Sequence, residues 1–167
     1  MAQLAAGDED ALAELLRRYD RPLSHFIYRN TGGRDVEDLF QETWLRVVRA
    51  APRFDTSRRF STWLFQIAVN LCRDWHRRAQ RERLASGELV ESGLSGGQEA
   101  SVGERVDAAL LLERLPALQR EVLILRYYHD LSERQMAEIL DCPAGTVKSR
   151  LHNALARLSA IVRGEAA

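Results

Sequence analysis

Leu131-Ser132-Glu133-Arg134-Gln135-Met136-Ala137-Glu138-Ile139-Leu140-Asp141-Cys142-Pro143-Ala144-Gly145-Thr146-Val147-Lys148-Ser149-Arg150-Leu151 reads as helix, tight turn, helix. Ser132 is placed to cap the first helix, with Gln135 three residues on as its capping-box partner. Pro143 suits the first position of the second helix, where no N–H is needed. Ala137, Ile139, Leu140, Val147 and Leu151 turn inward between the two helices, which leaves Thr146, Lys148, Ser149, Arg150, His152 and Asn153 on the remaining surface of the second. That is the layout of a DNA-reading helix-turn-helix, although a plain helical pair would share the pattern. Gly145 and Thr146 favour the DNA reading, because small residues and free N–H groups at a helix start permit close approach of a phosphate. Lys148 and Arg150 then supply charge, and Lys148, Ser149 and His152 face base edges in the major groove.

The rest of the chain is also read as helical, with no alternation of apolar and polar residues over a strand length. A first helix is expected from about Asp8 to Asn30, its buried stripe being Leu12, Leu15, Leu16, Tyr19, Leu23, Phe26 and Ile27. Thr31-Gly32-Gly33 ends it. A second opens near Asp35 and turns Val36, Leu39, Phe40, Thr43, Trp44, Val47 and Val48 inward until Pro52. After the polar loop Arg53 to Phe60, a third helix starts near Ser61 and runs through Trp63, Leu64, Ile67, Ala68, Leu71 and Trp75 into a basic stretch. Residues 85–103 change character: five glycines, four serines and several acids with no apolar face read as a flexible linker. Beyond it, a helix from Val106 to Leu115 closes at Pro116, and another carries Leu118, Val122, Leu123, Ile124, Leu125 and Tyr127. The expected architecture is all-α: two small helical domains joined by a linker, each with a modest core.

Composition narrows the function classes. The 167 residues are 46% hydrophobic and 29% charged, ordinary usage for a globular chain. No apolar run approaches the ~20 residues that span a bilayer, and the first ten residues lack the basic-then-apolar pattern of an export signal, so a cytoplasmic protein without membrane insertion is expected. Cys72 and Cys142 sit in apolar helical patterns and read as buried free thiols; neither has a ligand-spaced neighbour for zinc. Formal charge is zero, yet its distribution is uneven. From Trp44 to Arg83 ten arginines face three acids, a net of +7, while from Asp8 to Glu42 nine acids face five arginines, a net of −4. The first segment invites phosphate and the second a basic protein partner.

Aromatics interleave the basic segment. Phe54, Phe60, Trp63 and Trp75 among arginines are what holding unstacked bases requires, with Trp63 assigned to the core by its periodicity. Asn70 is an amide on an apolar stretch, able to read a base edge or to bond a neighbouring turn. Asp35, Glu37, Asp38, Gln41 and Glu42 recur on the exposed side of the second helix, where they favour the helix dipole or offer a docking surface. His25, His76, His129 and His152 are scattered, and no phosphate loop, nucleophile elbow or metal motif is present, so neither an enzyme nor a cofactor is expected.

Three runs, Asp35 to Trp44, Phe60 to Asn70 and Gly145 to His152, together resemble a bacterial sigma factor of the sigma-70 family, extracytoplasmic-function (ECF) type. The resemblance implies sigma domain 2 over residues 1–84, the linker over 85–103 and sigma domain 4 over 104–167. It implies a subunit that binds core RNA polymerase through the clamp helices of the largest subunit and the flap region, with promoter DNA and an anti-sigma factor as further partners. Asp38, Leu39, Gln41 and Glu42 match the clamp-binding surface. Phe54, Arg58, Phe60, Ser61, Asn70, Arg73 and Arg77 match the region that recognises and melts the −10 element around a flipped base. Gly145, Thr146, Lys148, Ser149, Arg150 and His152 match the −35 reader. Asn153 and Ala154 depart from the pattern, standing where a second basic residue is common. Melting needs no bond chemistry, since capture of an extruded base offsets the cost of unpairing. A polymerase-independent helix-turn-helix regulator is the rival reading.

Overall fold

The computed structural model of the chain describes Leu4, Ala6, residues 8–85 and residues 108–164, and within them it contains seven α-helices and no strand. Helix α1 spans Glu9–Thr31, α2 Val36–Ala50, α3 Phe60–Ala85, α4 Ala108–Glu113, α5 Ala117–Tyr127, α6 Glu133–Leu140 and α7 Ala144–Val162. A 3₁₀ turn, Ala51–Arg53, follows α2.

Local chemistry sets the helix ends. The Asp8 carboxylate accepts from the N–H groups of Asp10 and Ala11 at 2.9 and 3.1 Å and so caps α1. Gly32, at φ +65°, ends α1 in the left-handed conformation. A Cβ there would lie 2.5 Å from the Glu113 carboxylate of α4, so a substitution at this position would displace that side chain. At α6 the expected capping box is present: the Gln135 N–H donates to Ser132 Oγ and the Ser132 N–H to Gln135 Oε1.

Several expectations need correcting. Pro143 is the N-cap of α7 rather than its first helical residue, and its extended ψ turns its carbonyl to accept from Thr146 and Val147. Helix α3 includes Ala85, the first residue assigned to the linker; the rest of that segment lies outside the described residues, as does the start of the helix expected at Val106. Val48, Leu118 and Tyr127 are exposed, because no described element covers those sides of α2 and α5. Leu12, Leu15, Leu16 and Tyr19 are only half-buried. Cys72 is buried, and burial pushes its thiol up to about 12, whereas Cys142 is half-buried in the turn before α7.

Two helical units flank the segment expected to be the linker, as the sequence indicates, and the modest cores expected for each join in one contiguous core. Leu23, Phe26 and Ile27 of α1, Val47 of α2, Leu64, Phe65, Ala68 and Val69 of α3, Val122 to Leu125 of α5, Met136 and Ile139 of α6 and Val147 of α7 belong to the same buried cluster. Helix α3 packs along α6, and α1 along α5, so the helix-turn-helix is seated directly on the amino-terminal bundle. Phe26, Phe65 and His129 meet at this boundary, with ring centroids 5.4 Å apart for the Phe pair and 4.8 Å for Phe65 and His129. Periodicity identified each apolar face but could not reveal that the two faces share a partner.

Candidate nucleic-acid interface

Three exposed stripes lie on three different helices. On α2, Asp38 and Gln41 are exposed and Glu42 is half-exposed, paired with Arg46 at 2.8 Å. Leu39 is a different case: at 8% exposure it is a core residue that supports this face from beneath and cannot form part of it. The stripe continues through Leu45 and Val48, which are 49% and 42% exposed. Val48 was missed because periodicity counts it with the inward residues, and Leu45, off that inward list, carries no signal of its own; only the absence of a covering element reveals both as an exposed apolar pair.

The second stripe begins in the loop before α3. Asp55 Oδ1 accepts from the Ser57 N–H at 2.9 Å and the Asp55 carbonyl from the Arg58 N–H at 3.0 Å, which folds the loop tip into a turn. The hydrogen bonds from Ser57 hold the Asp55 carboxyl below its ordinary range. Thr56, Ser57, Arg58 and Arg59 are exposed, whereas the aromatics beneath them pack on one another. Phe54 lies 4.7 Å from Trp63, and Phe60 lies 5.2 Å from Tyr19 and 6.4 Å from Trp44, centroid to centroid. Phe54 and Phe60 therefore form a half-buried base for the loop instead of standing free to stack on nucleobases; the polar tip is what faces outward.

Along α3, Gln66, Asn70, Arg73 and Arg77 are spaced by four, three and four residues and fall on one side of the helix. Ser61 lies off that stripe and is half-buried. Gln66, which sequence reasoning passed over, ties the stripe to the loop: Arg58 Nη2 donates to its Oε1 at 3.1 Å. Asn70 is exposed, and Arg77 pairs with Asp74 one turn back. Arg73 is turned toward the carboxy-terminal helices, where its Nε and Nη2 donate to the two carboxylate oxygens of Glu121 at 2.9 and 2.6 Å. The Glu121 side chain is 4% exposed. Its burial raises the carboxyl pKa, against the lowering effect of Arg73 and Arg150.

The third stripe is the outer face of α7. Gly145, Lys148, Ser149 and His152 are exposed on one side of the helix, with Asn153 beside them. Nothing lies within 4 Å of where a Gly145 Cβ would stand, so no neighbour within the chain requires glycine there. Thr146 is half-buried at the edge. Arg150 points elsewhere: it is half-buried, its Nη1 3.9 Å from Cys142 Sγ, on the flank nearer Glu121. Ala154 is fully buried, so of the two departures from the expected basic pattern only Asn153 faces outward.

Behind the stripes, buried polar groups join the two halves of the chain. Arg120, 8% exposed, donates to the carbonyls of Leu112, Glu113 and Leu115 and, across to α1, to that of Asn30 at 2.7 Å. His76 Nε2 donates to the same Asn30 carbonyl at 3.0 Å. Trp75 Nε1 donates to Asp35 Oδ2 at 2.6 Å, which makes Trp75 and Asp35 a structural pair. Among the described residues, no group of three or more His, Cys, Asp or Glu side chains could hold a metal ion, and no helix is long and apolar enough to cross a membrane.

Among the described residues, a helix-turn-helix seated on a helical bundle, with acidic and basic residues on separate helices, is the arrangement of a DNA-reading protein, and comparison with known proteins makes this specific. The Sigma-70 region 2 family matches residues 15–82, and the Sigma-70 region 4 family matches residues 105–158. The ECF RNA polymerase sigma factor SigW of Bacillus subtilis is 33% identical over 164 positions, covering 90% of this chain and 88% of the relative. The ECF RNA polymerase sigma-E factor of Escherichia coli K12 is 32% identical over 162 positions, covering 89% and 84%. Among solved structures, CnrH in complex with the cytosolic domain of CnrY matches at TM-score 0.73 and 30% identity over 99% of this chain and 96% of that one. The sigma factor RpoE in complex with the anti-sigma factor NepR from Bartonella quintana matches at 0.75 and 28% over 92% and 97%. The chain belongs to the ECF RNA polymerase sigma factors. These matches favour that reading over a polymerase-independent regulator.

Proposed function

We propose that the three stripes divide the work of promoter-directed initiation. The face of α2 formed by Asp38, Gln41, Glu42, Leu45 and Val48 docks on the clamp helices of core polymerase, with the carboxy-terminal helices reaching the flap region. The loop tip at residues 55–59, backed by Phe54 and Phe60, and the α3 stripe of Gln66, Asn70, Arg73 and Arg77 engage the −10 element and an extruded base. Gly145, Thr146, Lys148, Ser149 and His152 read the −35 element, and the functional division follows residues 1–84, 85–103 and 104–167. The protein acts in the cytoplasm, where promoter DNA and polymerase are, and catalyses no reaction of its own: positioned cations and amides suffice to hold an unpaired base.

The carrying observation is the segregation of surface chemistry, with mixed acidic and apolar residues exposed on α2 and basic and amide residues on α3 and α7. Two weak DNA contacts on one chain act together once both are held by polymerase, which is how a protein of zero net charge achieves promoter selectivity. An anti-sigma factor is the expected regulator, a reading supported by the complex in which RpoE matches this chain. Run-off transcription with core polymerase on a promoter library tests the whole assignment. Transcripts starting at a common bipartite sequence are expected; start sites unchanged by the protein would overturn it.

A further inference from the structure

We infer that Glu121 is an internal competitor for promoter DNA: in the closed chain its carboxylate occupies the Arg73 edge that would otherwise hold a backbone phosphate. The inference rests on the proposed placement of Arg73 in the −10 surface.

The geometry carries it. Both carboxylate oxygens engage the Nε and Nη2 donors of Arg73, the same fork by which arginine binds a phosphate. Glu121 comes from α5 and Arg73 from α3, 48 positions apart, so the pair forms only when the two halves of the chain are seated on each other. That seating has its own supports in the Arg120 bond to the Asn30 carbonyl and the packing of His129 on Phe26 and Phe65. Glu121 is therefore presented from a prepared surface.

Gln66, Asn70 and Arg77 lie along the same side of α3 as Arg73, so the pairing withdraws one cation from the middle of the stripe without covering its ends. One guanidinium edge cannot serve a carboxylate and a phosphate together. Closure and DNA engagement are thus linked with opposite sign: opening the boundary strengthens binding to DNA, and DNA loosens the boundary.

The test uses the full chain without polymerase, randomised single-stranded DNA as the probe, and anisotropy at fixed low salt. Glu121→Gln, which keeps the shape but removes the charge, is expected to tighten binding about tenfold, the scale of one charge-assisted contact. In an Arg73→Gln background the same change should gain nothing. The exchanged pair Arg73→Glu with Glu121→Arg should keep native amide protection in α5 and α6 and bind no better than Arg73→Gln, which guards against a gain caused by partial unfolding. DNA added to the wild-type chain should raise amide exchange in those helices. An unchanged affinity of Glu121→Gln, or a gain that persists without Arg73, would overturn the inference. Run-off transcription separates it from the broader reading: a wild-type chain that directs initiation while Glu121→Gln shows no gain removes the competitor alone.

Discussion

Arg120 and Asn30 meet where a helix runs out of partners. Asn30 is the penultimate residue of α1, so its carbonyl has no acceptor role within the helix, and the negative end of the helix dipole falls there; the Arg120 guanidinium reaches it at 2.7 Å. The carbonyls of Leu112, Glu113 and Leu115 accept from its Nε and Nη2, so four of the five N–H groups of a buried cation are bonded without a carboxylate. Lysine offers a point charge that cannot span all four acceptors. Arg120→Lys is expected to lower stability by about 2–4 kcal/mol, the cost of leaving buried carbonyls unpaired. Urea unfolding measures it, and a midpoint equal to that of the wild type would show that the network contributes nothing.

Much of this was legible beforehand, for identifiable reasons. The capping box at Ser132 and Gln135, the Gly32 stop and the apolar face of α3 are local signals, and each element they predict is present. Arg120, Glu121 and His129 were not legible as a boundary, because their roles depend on residues far away in sequence, and in the sequence two buried charges on α5 look like the solvated side of a helix. The three runs fall on three different helices, yet individual side chains depart from the faces the resemblance implies: Leu39 lies in the core, as its periodicity indicates, Arg150 on the flank, and Phe54 and Phe60 in an aromatic base. One residue of phase decides such cases, and periodicity alone does not resolve it.

The boundary should be acid-sensitive. Burial pushes both His76 and His129 down to about 4, with Arg120 and then Arg34 adding to the effect at His76, and Arg29 and His25 at His129. Folded pKa values below the unfolded value near 6.5 mean that the unfolded chain binds more protons between those limits. Their contribution is present in full above pH 6.5 and is lost as pH falls toward 4. His129 Nε2 is buried without a hydrogen-bond partner, so His129→Phe removes one titrating group without orphaning another. Thermal unfolding from pH 7.5 to 4.5 should show a shallower decline for that variant and an equal or higher midpoint at neutral pH. Parallel curves would refute the assignment.

Gly145 separates folding from DNA contact. Its side is open and its φ is ordinary, so Gly145→Ala should raise stability by up to about 1 kcal/mol through helix propensity. A methyl group on the outer face would nevertheless hold the start of α7 away from a phosphate. Binding to −35 duplex, measured as polymerase holoenzyme, should weaken roughly tenfold, equivalent to one charge-assisted backbone contact. A stabler variant with unaltered promoter affinity would mean that the backbone at this turn does not approach DNA.

Asn153 is exposed next to His152, while Ala154 is sealed in the core, so of these two positions only 153 can present a basic side chain on the proposed −35 face. Asn153→Arg should tighten −35 binding and steepen its salt dependence by about one released counterion. Affinity that rises without a change in salt slope would point to a base contact in place of a phosphate.

The docking face proposed on α2 gives the sharpest separation of binding from stability. Asp38 is exposed and has no side-chain partner among the described residues, so Asp38→Arg should move stability by less than about 0.5 kcal/mol. Glu42→Arg is the poorer probe, because it would place two cations one turn apart at positions 42 and 46 where an ion pair now stands. Leu45→Asp tests the apolar part of the same face without disturbing the core. If Asp38 and Leu45 both sit at the centre of the contact, each replacement should weaken association with core polymerase by about 2–4 kcal/mol, the range of an interface hot spot. The two effects combined should fall short of their sum, since neighbouring contacts share one desolvated patch. Competition against a labelled sigma factor for core enzyme measures this, and a double variant that competes as well as the wild type would place the polymerase contact elsewhere on the chain.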